Sequence, residues 1–331
     1  MGGTFLANLS SPPLLFFFLG VIAVVGRSDL EIPPQIAKFL SMYLLFAIGF
    51  KGGVALAEST FDTGIVLTLV AAVFLSALVP VYAYFFLRKS MGDANAAAIA
   101  ATYGSVSAVT FVTATGYLDM QGVEWGGHMV AAMALMESPA IIVGILLYHR
   151  YASQGSEVRR EFSWGRLVHE SFLNGSIVLI LGSMIIGWIT GPAGMEQLSS
   201  LIKDLFLGVL CLFLLDMGIV ATRRLREIYS GGQEQVKQQL SLMVFASIAI
   251  PLLSAALALG LALALGLAEG DALLLIVLAA SGSYIAVPAA MRLVLAEANP
   301  GMYLPMSLAM TFPLNILLGI PTYHALVRWL L

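Results

Sequence analysis

Long apolar runs recur along the whole chain, and they constrain its fold more than any other feature. They lie near residues 12–26, 36–57, 63–87, 94–115, 127–148, 172–190, 200–221, 240–267, 271–293 and 303–327. A helix needs about 20 apolar residues to cross a bilayer. Only 11% of the residues are charged, against roughly 25% in a soluble domain. The pattern predicts an all-α polytopic membrane protein with ten spans.

Lys and Arg residues predict the orientation of these spans. The loops after spans 1, 3, 5, 7 and 9 hold 13 of the 16 basic residues, and the other side holds Lys51, Lys203 and Arg328. Cytoplasmic loops are the ones enriched in Lys and Arg. We therefore expect a multi-pass protein of the plasma (inner) membrane with both termini extracytoplasmic. We expect the Lys51 side chain to extend from its span to the interface.

Several classes of protein are disfavoured by composition and motifs. A net charge of −3 gives no basis for a nucleic-acid partner. There is no phosphate-binding loop of the ATPase type. The single cysteine, Cys211, cannot form an intramolecular disulfide, and the four histidines lack zinc-site spacing. No nucleophile and base constellation stands out, so we predict that the protein is not an enzyme and has no cofactor.

The two halves of the chain share a pattern. The matching segments are residues 93–109 (DANAAAIAATYGSVSAV) and residues 271–287 (DALLLIVLAASGSYIAV). Asp93 and Asp271 each precede a Gly-Ser pair by 11 residues, and both suit a helix N-cap. Earlier in each half, Ile48-Gly49 aligns with Met217-Gly218.

Each half has five spans, an odd number, so the second copy must cross the membrane in the opposite orientation. The predicted units are a first repeat (1–148), a cytoplasmic linker (149–170) and a second, inverted repeat (171–331). Inverted repeats are typical of secondary transporters, whose substrate site lies at the repeat interface near the midplane. A duplication without a transport role is the alternative.

Spans 4 and 9 carry their Gly-Ser pairs near mid-membrane, which predicts two broken helices. An interrupted helix presents free N–H groups that attract an anion, and serine hydroxyls add donors. The predicted substrate-binding residues are Gly104, Ser105, Ser107, Gly282 and Ser283. Close helix packing by small residues is the alternative explanation.

Glu137 lies near the centre of span 5, where a carboxylate is costly and therefore a functional candidate. It can hold a sodium ion or carry a proton; a hydrogen-bonded structural acid is the alternative. Thr311 is its counterpart in the second repeat, and Asn315 lies one turn beyond. We predict sodium binding, with these oxygen-bearing side chains as ligands: Glu137, Ser281, Thr311 and Asn315.

Around the break in span 9, residues 279–303 (AASGSYIAVPAAMRLVLAEANPGMY) resemble the signature of the cyanobacterial sodium-dependent bicarbonate symporter family. The matching positions are Ala279, Ala280, Ser281, Ser283, Ile285, Pro288, Arg292, Ala298, Asn299, Pro300 and Tyr303. Weaker matches lie at Gly104 with Ser107, and at Met136-Glu137, where the family has Asp at the second position.

The resemblance implies a ten-span inverted-repeat fold with a scaffold of spans 1, 2, 6 and 7 and a core of spans 3–5 and 8–10. It also implies sodium-coupled bicarbonate uptake, a homotrimer and a PII-like regulator at the cytoplasmic face. Two features depart from the family pattern. Tyr284 stands where the family has Asp, and the 149–170 loop is short.

Three functions remain open at this stage. The first is sodium-coupled import of bicarbonate or a similar small anion. The second is a proton-coupled carrier, or a carrier of another anion, in which Glu137 replaces the missing carboxylate. The third is a membrane sensor that binds an anion without moving it.

Overall fold

The computed structural model describes residues 11–58, 62–152, 175–231, 234–295 and 297–331. These residues form helices and connecting loops, with no strand among them. Most of the predicted 149–170 linker lies outside the described residues.

Helices α1 to α6 belong to the first half of the chain. They are α1 (Pro12–Val25), α2 (Pro34–Glu58), α3 (Thr63–Met91), α4 (Asp93–Gly104), α5 (Ala108–Gln121) and α6 (His128–Tyr151).

The second half begins with α7 and ends in one long, irregular helix. The regular helices are α7 (Gly175–Ser199), α8 (Phe206–Gly231), α9 (Glu234–Leu265), α10 (Glu269–Ala279), α11 (Ala286–Val294), α12 (Pro300–Pro305), α13 (Phe312–Leu314) and α14 (Ile320–Leu330). Short π-helical segments join α7 to α8 and connect α12, α13 and α14: Ser200–Asp204, Met306–Thr311 and Asn315–Gly319.

Eight helical segments of the described chain are long and apolar enough to cross a membrane, with α4 and α5 counted together. The first predicted span is the shorter helix α1, and the ninth is divided into α10 and α11. The predicted boundaries are wrong by several residues in places. For example, α9 begins at Glu234 rather than near 240, because a helix continues into polar sequence beyond its apolar stretch.

Helices α1, α2, α7 and α8 form a group that we call the scaffold, and the remaining helices form the core. Within the scaffold, α1 packs on α8 and α2 packs on α7. Glycines allow the backbones to touch: a side chain at Gly49 would overlap the carbonyl of Ile180, and one at Gly218 would overlap that of Phe17. The two glycines that align between the halves therefore occupy equivalent helix crossings.

The contacts between α2 and α7 also show the relative direction of the two helices. Gly49 lies against Ile180, and Gly53, one turn later, lies against Met184, one turn after Ile180. The two helices therefore run parallel. Two spans that run in the same direction must have an odd number of spans between them. A second half that crosses the membrane in the opposite orientation to the first meets this requirement for α2 and α7.

The core surrounds the two interrupted helices. Helix α3 packs on both α4 and α6, while α9 packs on α10. The half-helices exchange partners across the molecule, since α10 contacts α5 and α11 contacts α4. This exchange brings the two interruptions together.

Candidate functional site

The first interruption separates α4 from α5 and is buried. Ser107 precedes α5 with extended backbone, and its hydroxyl oxygen accepts from the N–H of Thr110 at 3.1 Å. This is a standard N-cap. The N–H groups of Ala108 and Val109, in the first turn, have no acceptor within the helix. The predicted break at the Gly-Ser pair is confirmed, and it directs a helix N-terminus into the core.

The second interruption, residues 280–285, separates α10 from α11. Helix α10 ends at Ala279, and the chain crosses the gap before α11 begins at Ala286. The Ser283 oxygen lies 3.4 Å from the N–H of Val287, in the first turn of α11. Both predicted interruptions are therefore present.

The two interruptions are hydrogen-bonded to each other. The N–H of Ser107 donates to the hydroxyl of Ser281 at 2.9 Å, and the N–H of Ser283 donates to the carbonyl of Thr102 at 2.8 Å. The second interruption thus supplies an acceptor for the first, and the last turn of α4 supplies one for the second. Buried N–H groups need such partners because lipid and apolar side chains offer none.

The two aspartates that start the repeated pattern are not N-caps, contrary to prediction. Gly92, with a φ of 80°, occupies the cap position before Asp93, and Asp271 is the third residue of α10. The Asp93 carboxylate instead lies 3.2 Å from Arg88, and Asp271 accepts from the N–H of Gly126 at 2.6 Å. Each aspartate tethers its half-helix to another part of the core.

A cavity opens between the scaffold and the two interruptions. It is small, with a volume of about 50 Å³, which is room for a few water molecules. The core contributes the first turn of α5, the second interruption and one face of α6, and the scaffold contributes α2 and α7. The lining residues are Ser41, Leu45, Val106, Ser107, Ala108, Val109, Met133, Ala134, Glu137, Ile177, Ile180, Ser283, Tyr284 and Ile285.

Three of the predicted site residues meet in this cavity. Ser107 comes from the first interruption, Ser283 from the second, and Glu137 from the middle of α6. The Glu137 side chain is half-buried, and it is the one carboxylic acid among the lining residues. Most other lining residues are apolar.

Three predicted cation ligands lie behind the cavity wall and make structural hydrogen bonds. The Ser281 hydroxyl joins the two interruptions, as described above, and donates to the carbonyl of Leu278. Thr311 donates to the carbonyl of Ser247 at 2.9 Å. Asn315 donates to the carbonyl of Ala280 at 2.8 Å, at the end of α10. None of the three lines the cavity.

The two predicted glycines also lie behind the wall. A side chain at Gly104 would overlap the ring of Pro80 in α3. Gly282 lies beside Tyr103 and Ser307. Ser105 is buried, and its hydroxyl makes no hydrogen bond in the described structure.

Sequence reasoning did not assign two lining residues of chemical interest to the site. Ser41 reaches the cavity from α2, and nothing in its sequence context marks it. Tyr284 lines the cavity with its ring edge-to-face against Phe312 at 5.8 Å between centroids. A neutral phenol therefore stands where the family resemblance places a carboxylate.

Oxygen atoms are the ligands that the cavity offers to a cation. Among the described residues, no group of three or more His, Cys, Asp or Glu side chains converges. The Glu137 carboxylate and the serine hydroxyls suit a hard monovalent cation, while the α5 N-terminus suits an anion. The site can therefore hold charges of both signs.

Comparison with protein families agrees with this geometry. The model of the Na⁺-dependent bicarbonate transporter superfamily matches residues 12–328. The chain belongs to that superfamily. Comparison with curated proteins gives no match.

Membership in the superfamily confirms the family predicted from the signature around Ser281. It identifies the chain as a multi-pass membrane protein of a transporter family, which agrees with the several apolar helices of the described structure. The match covers both interruptions and the cavity between them.

Proposed function

We propose that the chain couples the entry of sodium to the import of bicarbonate or a similar small inorganic anion. One observation carries the proposal: two interrupted helices meet at a cavity that contains both a helix N-terminus and a carboxylate. The substrate-binding groups are Ser107, Ser283 and the first N–H groups of α5.

The anion binds where donors face the cavity. The N–H groups of Ala108 and Val109 have no helical acceptor and carry the positive end of the α5 dipole. The hydroxyls of Ser107 and Ser283 accept from backbone N–H groups, so each retains its own hydrogen for donation. The apolar walls exclude water, which strengthens these electrostatic interactions.

The coupling of sodium binding to anion binding follows from the charges of the two ligands and of Glu137. An anion and an ionised Glu137 repel each other in one small cavity with mostly apolar walls. A cation bound at Glu137 removes that repulsion and attracts the anion. Each ligand then raises the affinity for the other by the same factor.

A proton-coupled carrier is the second candidate, and a specific observation favours it. Glu137 is the one carboxylic acid among the residues that line the cavity, and Tyr284 adds no second one. Protonation of Glu137 also removes its charge. A proton and a sodium ion are therefore competing ways to neutralise the same group.

We also propose the inverted-repeat architecture, with residues 1–148 and 171–331 related by rotation about an axis in the membrane plane and both termini extracytoplasmic. The parallel course of α2 and α7 and the equivalent crossings at Gly49 and Gly218 support this arrangement. A homotrimer and a PII-like cytoplasmic regulator are further proposals that rest on the family resemblance.

Uptake of radiolabelled bicarbonate into proteoliposomes tests the proposed function. The internal and external pH are held equal, and uptake is measured with and without an inward sodium gradient. Liposomes without protein, run in parallel, correct for passive entry of carbon dioxide. We expect uptake that depends on the protein and rises with the sodium gradient.

The other outcomes identify the alternatives. Uptake that does not depend on the sodium gradient but increases with an imposed pH gradient indicates the proton-coupled carrier. Saturable anion binding without uptake of any anion indicates a sensor, and it contradicts both transport proposals.

A further inference from the structure

The scaffold and the core touch closely at one end of α2, away from the cavity. Ser41 and Leu45 line the cavity from the first half of α2, whereas Gly52 follows 11 residues after Ser41, about 16 Å along the helix. A side chain at Gly127 would overlap the carbonyl of Gly52, and one at Gly52 would overlap Val130 of α6. The two parts are therefore in direct backbone contact at Gly52 and Gly127, and an open surface pocket lined by Lys51 and Asp119 lies beside this contact.

An ion pair crosses the same boundary. The Nζ atom of Lys51 lies 2.6 and 2.7 Å from the two carboxylate oxygens of Asp119, near the end of α5. The ammonium also lies 5.4 Å from the ring centroid of Trp125. Lys51 therefore does not simply extend to the membrane interface, as its position predicts. It joins a scaffold helix to a core helix.

The loop of residues 122–127 is held firmly on the core side of this contact. Asp271 accepts from the N–H of Gly126, and the imidazole of His128 lies 3.7 Å from the same carboxylate. A side chain at Gly270 would overlap the carbonyl of Glu124. Because Trp125 belongs to this loop, Lys51 contacts a segment that is anchored to α10.

We propose that Lys51 and Asp119 form a latch that closes the cavity toward their side of the membrane. The inference rests on the proposed transport function, because alternating access requires such a contact to open in each cycle. Both side chains of the pair are partly exposed, at 35% and 40%. Exposed ion pairs contribute little, so the latch biases the closed state by about two- to fivefold and still opens on a transport timescale.

Labelling of a cysteine in the cavity tests the latch without reference to transport. Cys211, the single cysteine of the chain, is replaced by alanine, and Ala134→Cys then places a thiol in the cavity wall. A membrane-impermeant maleimide is applied to each membrane face in turn. We expect Lys51→Ala to accelerate labelling from the Lys51 side about two- to fivefold.

Two further variants isolate the ion pair. Exchange of the charges, Lys51→Asp with Asp119→Lys, restores slow labelling if the pair itself is the latch. Arg88→Ala is the matched control, since Arg88 and Asp93 form an ion pair at 3.2 Å within the core. It leaves the labelling rate from the Lys51 side unchanged. If Ala134→Cys does not yield folded protein, Ser41→Cys places the thiol on the scaffold wall.

The outcomes separate the latch from the proposed function. Equal labelling rates with and without Lys51 overturn the latch, whatever the uptake assay shows. A charge exchange that labels as fast as Lys51→Ala also overturns it. Faster labelling in Lys51→Ala, with no anion uptake by the parent protein, supports the latch and contradicts the transport function alone.

Discussion

The interruption between α4 and α5 covers three residues, 105–107, whereas that between α10 and α11 covers six, 280–285. The first is buried throughout, and Ser107 caps the helix that follows. The second has no side-chain cap at its Ile285 N-cap position, and the Ile285 side chain is 52% exposed. Similar Gly-Ser patterns therefore form two different local structures.

This difference indicates that the two interruptions have different roles at the cavity, which we call the division of labour: one is a rigid support and the other is adaptable. The first interruption is held by a cap and by a neighbouring proline, so it is a firm support for the α5 N-terminus. The second interruption is longer, and its exposed end at Ile285 has no side-chain cap. We infer that the second one adapts its shape when ligands bind. The predictions below test this comparison from the largest expected effect to the smallest.

Removal of the Glu137 charge is expected to have the largest effect, because the two halves differ most at this position. Glu137 lines the cavity, whereas its counterpart Thr311 is hydrogen-bonded behind the wall. Glu137→Gln keeps the shape and removes the charge. Loss of a charged interaction costs about 1.5–3 kcal/mol, so the mutual enhancement of sodium and anion binding should fall about 10- to 100-fold. Isothermal titration of each ligand, with and without the other, measures it.

Thr311→Val is the matched comparison, since it removes an oxygen from the equivalent position of the second half. It should lower thermal stability but leave the coupling of the two ligands intact. Undiminished coupling in Glu137→Gln would show that the cation binds elsewhere.

Alanine at the two repeat-related glycines should separate the firm interruption from the adaptable one. At Gly104 the added methyl group meets the rigid ring of Pro80, and overpacking of this kind costs about 1–3 kcal/mol. At Gly282 the nearest atom is the Ser307 Cβ at 3.3 Å, which must yield only slightly. Thermal unfolding in detergent should show a clear loss of stability for Gly104→Ala and a smaller one for Gly282→Ala. Equal losses would argue against the division of labour.

The two cavity serines should differ in the balance of stability and affinity. Ser107→Ala removes an N-cap, which costs about 1 kcal/mol of stability, and also a donor to the anion. The Ser283 oxygen lies 3.4 Å from its backbone partner, so Ser283→Ala should barely change stability. Both variants should weaken anion binding by about 1 kcal/mol, roughly fivefold. Thermal unfolding and anion titration on the same samples provide both values, and a large unfolding shift for Ser283→Ala would contradict this reading.

Properties that depend on local sequence could be predicted well. Apolar length places each helix in the membrane, because an unsatisfied peptide group in lipid is too costly for anything but a helix. The Gly-Ser pairs mark the position of both interruptions, and Ser107, two residues after the first pair, caps the helix that follows it. Ser107, Ser283 and Glu137 could therefore be assigned to one site from their spacing and from the repeat.

Only the tertiary structure decides which oxygen atoms reach the cavity. Spacing sets the height of a residue on its helix, but not which neighbouring helix it faces. The sequence predicts Ser281 and Asn315 at the site, yet both side chains are hydrogen-bonded to backbone groups behind the cavity wall. Ser41 lines the cavity because α2 and α7, more than 100 residues apart in sequence, pack together through their glycines. The partnership of Lys51 with Asp119 arises in the same way, since two distant helices place opposite charges at one boundary.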